Sequence, residues 1–481
     1  MAKAVNPFAD PAVASSVTAD AAAFIQNVGF SDLPQEAVRI GRRCLLDGLG
    51  LIVAGGEEST VRILAADAAD RAGRPEALLL GAGETWVPAP DAARVLGTAG
   101  HAHDWDDSQV STDPEHVYGL LTHPTIPPLA AALSVVQAQA RTGRAVDGRH
   151  FMLALLTGME VEMKLSEWML PQHYLRGFHS SGTVGAFGAC AAAAKLLGLA
   201  DETLRHALGI TASLASGIRA NFGTMTKPLH VGRAAENGVT AVRLAARGFT
   251  ADPDALDGPW GFMAVTGGGL SPHKLAQGFG RTWSITEPGV SIKPYPCGVL
   301  THPTLDLMGR LMRDHAITAD RIDSITVYAG SNILNPIRYP VAANHLQAKF
   351  SLPAALAMIA LTGRAGKREF SDDFVASAAM QAMQRRIRTA LDPQIEAAGF
   401  DRMRSRMEIG LTDGRTAAGW ADERYRGGPE NPLSDRDVED KLRSCCDGAL
   451  DPAAQDRLIA TAWSVLELSD ASLLAQRVQT G

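Results

Sequence analysis

Over the first 280 residues, apolar and polar positions recur at helical spacing, and the alternation expected of strands is scarce. Alanine, leucine, arginine and glutamate dominate there, and these favour helix. Leu33-Pro34-Gln35-Glu36 opens a helix predicted to run to Leu51. Further helices are predicted over 126–141 and 150–165, the second presenting Phe151, Leu153, Leu155, Leu156, Met159 and Val161. The small-residue run 181–197, SGTVGAFGACAAAAKLL, reads as one closely packed central helix. Asp201-Glu202-Thr203-Leu204 starts another, with its acids at the positive end of the dipole. A last helix of this part spans 234–247 and is stopped by Gly248.

After about residue 285 the pattern changes. Ser324–Ala329 and Met407–Leu411 alternate as strands do, and Asp413-Gly414 signals a hairpin turn. Residues 350–361 and 372–391 between them read as helical. GGPENPL at 427–433 resembles a linker, and Ser434 with Asp437 is placed to cap a C-terminal helix. The fold class expected is mainly α with two domains. A large all-α domain is built from 1–285 and 428–481, and a smaller α+β domain occupies 286–427.

Composition narrows the classes. The chain has 481 residues, 46% apolar and 20% charged, with net charge −7, as in an ordinary globular enzyme without the basic footprint of nucleic-acid binding. Its five cysteines are scattered, with no C-x-x-C, so a reducing, cytoplasmic setting is expected. No secretory signal is evident. The early apolar stretch CLLDGLGLIVAGG is interrupted by Asp47 and too short to span a bilayer, so no membrane partner is expected.

The chemistry concentrates in residues 100–125, GHAHDWDDSQVSTDPEHVYGLLTHPT, which hold four of the 13 histidines. His101-x-His103 with Asp104 has the spacing of a metal site, but Asp107 and Ser108 stand where a further histidine would be wanted. A solvated polar loop is the plain alternative. An acid/base site is favoured because His123-Pro124-Thr125 ends just before an apolar helix, whose positive end keeps an imidazole neutral. His179, in a Gly/Ser-rich turn before the small-residue helix, either meets a ligand or simply caps that helix. Lys227 precedes Pro228, a placement that disfavours helix, so it is expected in a turn that binds a carboxylate or faces water. Lys293 stands before Pro294 and Pro296, which hold the segment extended at the change of texture, with His302 following, in what could equally be a connector. Nucleotide loops, a Walker motif and a nucleophile elbow are absent, and Cys297 has no motif around it.

Together these segments resemble the MmgE/PrpD family of 2-methylcitrate dehydratases and cis-aconitate decarboxylases. The matching stretches are LLDGLGLIVAG at 45–55, HAHDWDD at 101–107, THPT at 122–125, FHSSGTVGAFGACAAAAKLLGL at 178–199 and ASGIRANFGTMTKPLHVGRAAENGVTAVRLAARGFT at 215–250. KPYP with His302, and Ala348-Lys349-Phe350-Ser351-Leu352, complete the set. The resemblance implies a helical domain with an α+β lid, a homodimer, and catalysis on small di- or tricarboxylates without metal or organic cofactor. It implies Asp104, His123 and His179 as catalytic residues, and Lys227, Lys293, Ser108 and His302 as substrate-binding ones. The expected activity is that of a 2-methylcitrate dehydratase-like hydro-lyase. Epimerisation of an iminodisuccinate-like dicarboxylate and decarboxylation of cis-aconitate are alternatives, and a non-catalytic carboxylate binder is the competing class. Against decarboxylation stand Gly298, where the decarboxylases look to have histidine, and Leu334-Asn335-Pro336, which lacks their tyrosine. His103 and His116 have no role in this reading.

Overall fold

A computed structural model describes residues 16–71, 73–110, 112 and 120–476. His116 lies outside the described residues. Two hydrophobic cores divide the molecule. The first draws on residues between Val17 and Ile292 and again between Leu433 and Ala475. The second draws on Phe222 and on residues between Cys297 and Tyr425.

The helix Gln35–Gly55 runs through the first core, and every residue from Cys44 to Gly55 is buried. Such all-round burial marks a central helix. It packs on the helix Ala89–His101 and on the C-terminal helix Asp435–Cys446. Ser434 and Asp437 cap that C-terminal helix reciprocally. No described helix is long and apolar enough to cross a membrane.

Small residues set the contact that matters most for the site. Gly97 and Gly232 face each other where Ala89–His101 crosses the helix Thr226–Ala245 in antiparallel sense. A methyl group on Gly97 would lie 2.9 Å from Gly232 Cα, and one on Gly232 would overlap the Arg94 carbonyl. This approach brings the end of one helix, His101, to the start of the other, Lys227.

In the second core a four-stranded sheet runs in the order 387–391, 322–329, 405–411, 416–420. The first pair is parallel and the others antiparallel, with Ile325 opposite both Ile387 and Ile409. Ser405–Leu411 alternates buried and half-buried residues, as a one-sided sheet requires. The helices His302–Asp314 and Leu352–Thr362 cover the buried face.

Three sequence expectations need correction. Residues 372–391 are not helical throughout: after Asp372–Ala376 and Ala378–Gln384 the chain becomes the strand Ile387–Leu391. Pairing with Ile325–Ala329 decides this, a tertiary contact that local propensity does not encode. The helix expected over 181–197 is divided into Ser180–Thr183 and Gly185–Leu197. Lys227 is in the first turn of Thr226–Ala245, not in a turn before it. Pro228 is tolerated there because first-turn N–H groups have no partner within the helix to lose.

Candidate active site

The loop after Ala89–His101 holds its shape through charge. Asp104 takes a left-handed backbone, φ 52°, and its N–H donates to the His101 carbonyl at 3.0 Å. Asp is among the few side chains that tolerate this region. The carbonyls exposed by the turn find lysine partners from distant parts of the chain. Lys349 donates to the Ala102 carbonyl at 2.8 Å, Lys293 to that of Asp104 at 2.8 Å, and Lys441 to that of Trp105 at 2.7 Å.

The turn aims the Asp104 carboxylate inward. Its Oδ1 accepts from Lys227 at 3.0 Å and from Lys293 at 2.9 Å. Lys227 belongs to the first core's helix. Lys293 follows Ser291, whose backbone exchanges hydrogen bonds with Ser108 at 3.0 and 2.7 Å. Lys227 also donates to His101 Nε2 at 2.8 Å, and its ammonium lies against the rings of Phe222 and Phe350, 5.2 and 5.0 Å from their centroids. The three charged groups are almost fully buried, at 3%, 4% and 1% exposure.

Burial opposes ionisation of Asp104, yet Lys227 and Lys293 together hold its carboxyl well below the usual range. Burial likewise lowers Lys227, with Asp104 opposing. His101 is lowered by burial against the pull of Asp106, whose carboxylate accepts from His101 Nδ1 at 2.8 Å. That bond fixes the tautomer: Nδ1 carries the proton, and Nε2 takes the lysine's hydrogen bond.

His123 is oriented just as firmly. Its Nδ1 lies 2.8 Å from the Asp107 carbonyl and 3.2 Å from Ser108 Oγ. A carbonyl can only accept, so Nδ1 is protonated and Nε2 is the basic nitrogen. Its pKa is pushed well below 6.5 by burial first, then by Lys293, His101 and Lys227 against Asp106. His179 Nδ1 is 3.1 Å from His230 Nδ1, so the pair shares one proton. Burial, Lys227 and His101 also hold His179 well below 6.5. His179 Nε2 and Asp104 Oδ2 are buried without a hydrogen-bond partner among the described residues. Orphaned atoms of this kind mark places where a ligand's polar groups complete the network.

The structure thus gathers Asp104, His123, His179, Lys227, Lys293 and Ser108 into one buried cluster between the two cores. His302 stands at its margin. It is buried, contacts the Cys297 carbonyl through Nε2 at 3.2 Å, and feels Lys293 as a lowering influence second to burial. The sequence reading missed His101 and Asp106 as a dyad, His230 as the partner of His179, and Lys349 and Lys441 as loop clamps. His101 was visible in the HAHD motif, but nothing local distinguishes its buried ring from that of His103.

His101, Asp104, Asp106 and His123 each offer an atom within 4.8 Å of the others, as do His101, His123 and His179. The donor chemistry nevertheless suits a cation poorly. Asp104 and His101 are already engaged by ammonium groups, and two buried positive charges repel a third. Zinc titration is therefore expected to reveal no tight site, and a chelator to leave the unfolding midpoint unchanged. Tight zinc binding abolished by His101→Ala would reverse this.

Comparison with known proteins agrees with the architecture. The family model described as MmgE/PrpD N-terminal domain matches residues 19–274, and that described as MmgE/PrpD C-terminal domain matches 295–465. The chain is 26% identical over 472 residues to a cis-aconitate decarboxylase of Mus musculus, covering 96% of this chain and 93% of that protein. It is 26% identical over 468 residues to the Homo sapiens cis-aconitate decarboxylase, covering 95% and 94%. A cis-aconitate decarboxylase of Aspergillus terreus is 26% identical over 318 residues, 63% of this chain and 62% of that protein. With both family models matched in order along its length, the chain belongs to the MmgE/PrpD family.

Proposed function

We propose that this chain is a lyase acting on a small di- or tricarboxylate by acid/base chemistry, with cis-aconitate decarboxylation as the first reading. The observation that carries it is the position of Asp104 Oδ1, a buried carboxylate held by two ammonium groups from different parts of the chain. A cluster that stabilises one carboxylate between Lys227 and Lys293 is chemically suited to take a second from a substrate. The full-length relatives with that activity move decarboxylation ahead of the dehydration that sequence analysis put first.

Decarboxylation breaks a C–C bond and leaves its electron pair on carbon, spread into the neighbouring double bond and carboxylate. Lys227 and Lys293 stabilise that charge in a site with little water. The carbon is then protonated, and CO₂ leaves. His179, which shares a proton with His230, is the candidate donor. His123 Nε2 is the candidate base for orienting or relaying it. Asp104 sets the lysines, and Ser108 sets His123. Because the cluster is buried, the unit we assign to 286–427 acts as a lid that opens to admit substrate.

Dehydration of a 2-hydroxy tricarboxylate is the second reading, favoured by one local feature. Gly298 stands where the resemblance gives the decarboxylases a histidine, and a side chain beginning there would meet Ile337 Cδ1 at 2.9 Å.

The test is a substrate panel of cis-aconitate, 2-methylcitrate, citrate and iminodisuccinate, with product analysis. Release of CO₂ from cis-aconitate is expected. Formation of an unsaturated acid from 2-methylcitrate alone would move the assignment to the hydro-lyase. Thermal stabilisation by several of these acids without turnover would replace the enzyme by a binding protein.

A further inference from the structure

His103, which the acid/base reading leaves without a role, points to a second charge cluster on the boundary between the cores. Glu58 lies at the start of the first-core helix Ser59–Asp70. Its carboxylate is 3.6 Å from His103 Nδ1 and 3.5 Å from His345 Nε2. His345 opens the short helix His345–Ala348 of the second core. Its Nδ1 is 2.7 Å from Asp372, which also accepts the His345 backbone N–H at 2.8 Å. The residue that follows this helix is Lys349, whose ammonium reaches the Ala102 carbonyl at 2.8 Å. Ala102 stands between His101 and His103, in the turn that orients Asp104.

We propose that Glu58, His345, Asp372 and Lys349 form a latch: the Glu58–His345 ion pair draws the unit of residues 286–427 onto the first core, and Lys349 thereby sets the loop that carries His101 and Asp104. The proposal rests on the lid reading of that unit and is independent of which acid is the substrate. Lys349 is a positioning residue in it, since its ammonium touches a loop carbonyl and not the reacting groups.

The latch should depend on pH. The groups facing His345 are Glu58 from the first core, and Asp372 and Lys349 from its own unit. His103 and Lys367 stand behind Glu58 and His103 respectively. The Glu58 carboxylate beside its Nε2 raises His345 above its ordinary 6.5, against burial and Lys349. Glu58 is lowered from 4.5 to about 2, burial being outweighed by His345, His103 and Lys349. His103, pushed to about 4 by burial and Lys349, is neutral near pH 7 and adds no charge there. A raised histidine contributes below its unfolded value, and that contribution is lost as pH rises through the folded one. A lowered carboxylate contributes above its unfolded value and loses it as pH falls. The latch is therefore at full strength between about pH 4.5 and 6.5, is released as pH rises through the raised histidine value, and on the acid side weakens only as pH falls towards about 2.

Hydrogen–deuterium exchange on the full chain tests this without any substrate. Peptides covering 99–108 and 345–351 are compared at about pH 6 and about pH 8.5, corrected for intrinsic amide exchange. In the wild type both segments are expected to exchange roughly three- to tenfold faster at the higher pH. In His345→Gln and Glu58→Gln, which keep polarity and approximate volume, the faster exchange is expected already at the lower pH. Lys349→Ala is expected to loosen 99–108, and Lys349→Arg to restore its protection. Equal wild-type protection at both pH values would overturn the latch. So would a change confined to 345–351, because a purely local role would leave the distant loop unmoved. Loss of the latch with turnover intact would leave the proposed function standing, and the reverse would leave the latch standing.

Discussion

Asp104→Ala is expected to lower folding stability by about 3–5 kcal/mol, the usual cost of removing one member of a buried ion pair. Lys227 and Lys293 both point at its Oδ1 and are nearly inaccessible to water. Without the carboxylate, two ammonium groups remain buried against each other. Urea unfolding near pH 7 measures the loss. The same variant should regain stability when a small dicarboxylate is added, because the ligand's charge fills the vacated place. At about 100 times its Kd a ligand returns about 2.7 kcal/mol. The wild type should gain less, since its own carboxylate competes for the lysines. The sign with pH follows from the depressed carboxyl of Asp104. Its contribution is present above the ordinary value of 3.8 and disappears only as pH falls through the much lower folded value. A variant as stable as the wild type, and unaffected by carboxylates, would remove the basis for the substrate class.

His123→Ala is expected to lower kcat by about 10²–10⁴-fold with the fold retained, the range typical of a lost acid/base group. His179→Ala should fall in the same range. The geometry adds a sharper expectation for pH. Burial, with the nearby ammonium groups, holds both imidazoles well below 6.5. As pH falls from 7, both therefore remain neutral past the point where a free histidine would protonate. The acid limb of kcat/KM should lie well to the acid side of 6.5 in the wild type. An acid limb at the ordinary histidine value, lost in His123→Ala, would mean that the working state of the site is far more solvated than this closed one. Near-wild-type turnover in both variants would remove them from the mechanism.

His123, His179, Lys227 and Lys293 were legible as candidates from the polar motifs around them, and the roles of these and of Asp104 from the family resemblance. The mainly helical character and the smaller strand-bearing region were legible because helical and alternating patterns differ in period. The dyad of His101 and Asp106 was not. Their five-residue separation says nothing about facing one another until a left-handed turn at Asp104 folds the loop back. His103 and His101 look alike in the sequence, yet one donates to Asp106 and the other contacts the Ala54 carbonyl at 3.3 Å, on the Glu58 side. The strand Ile387–Leu391 was read as helix because its parallel partner lies some sixty residues earlier in the chain.

By itself the sequence determined the helical character, the mixed insert and the residue types available for carboxylate chemistry. Those depend on local periodicity and composition. Only the tertiary structure decided which nitrogen of His101 and of His123 is basic, and why three lysines converge on one loop. Lys349, Lys293 and Lys441 come from segments widely separated in sequence, and each satisfies a different carbonyl among residues 102, 104 and 105. A buried carbonyl must find a donor, but which donor reaches it is a matter of packing, and packing here is set by contacts such as Gly97 on Gly232.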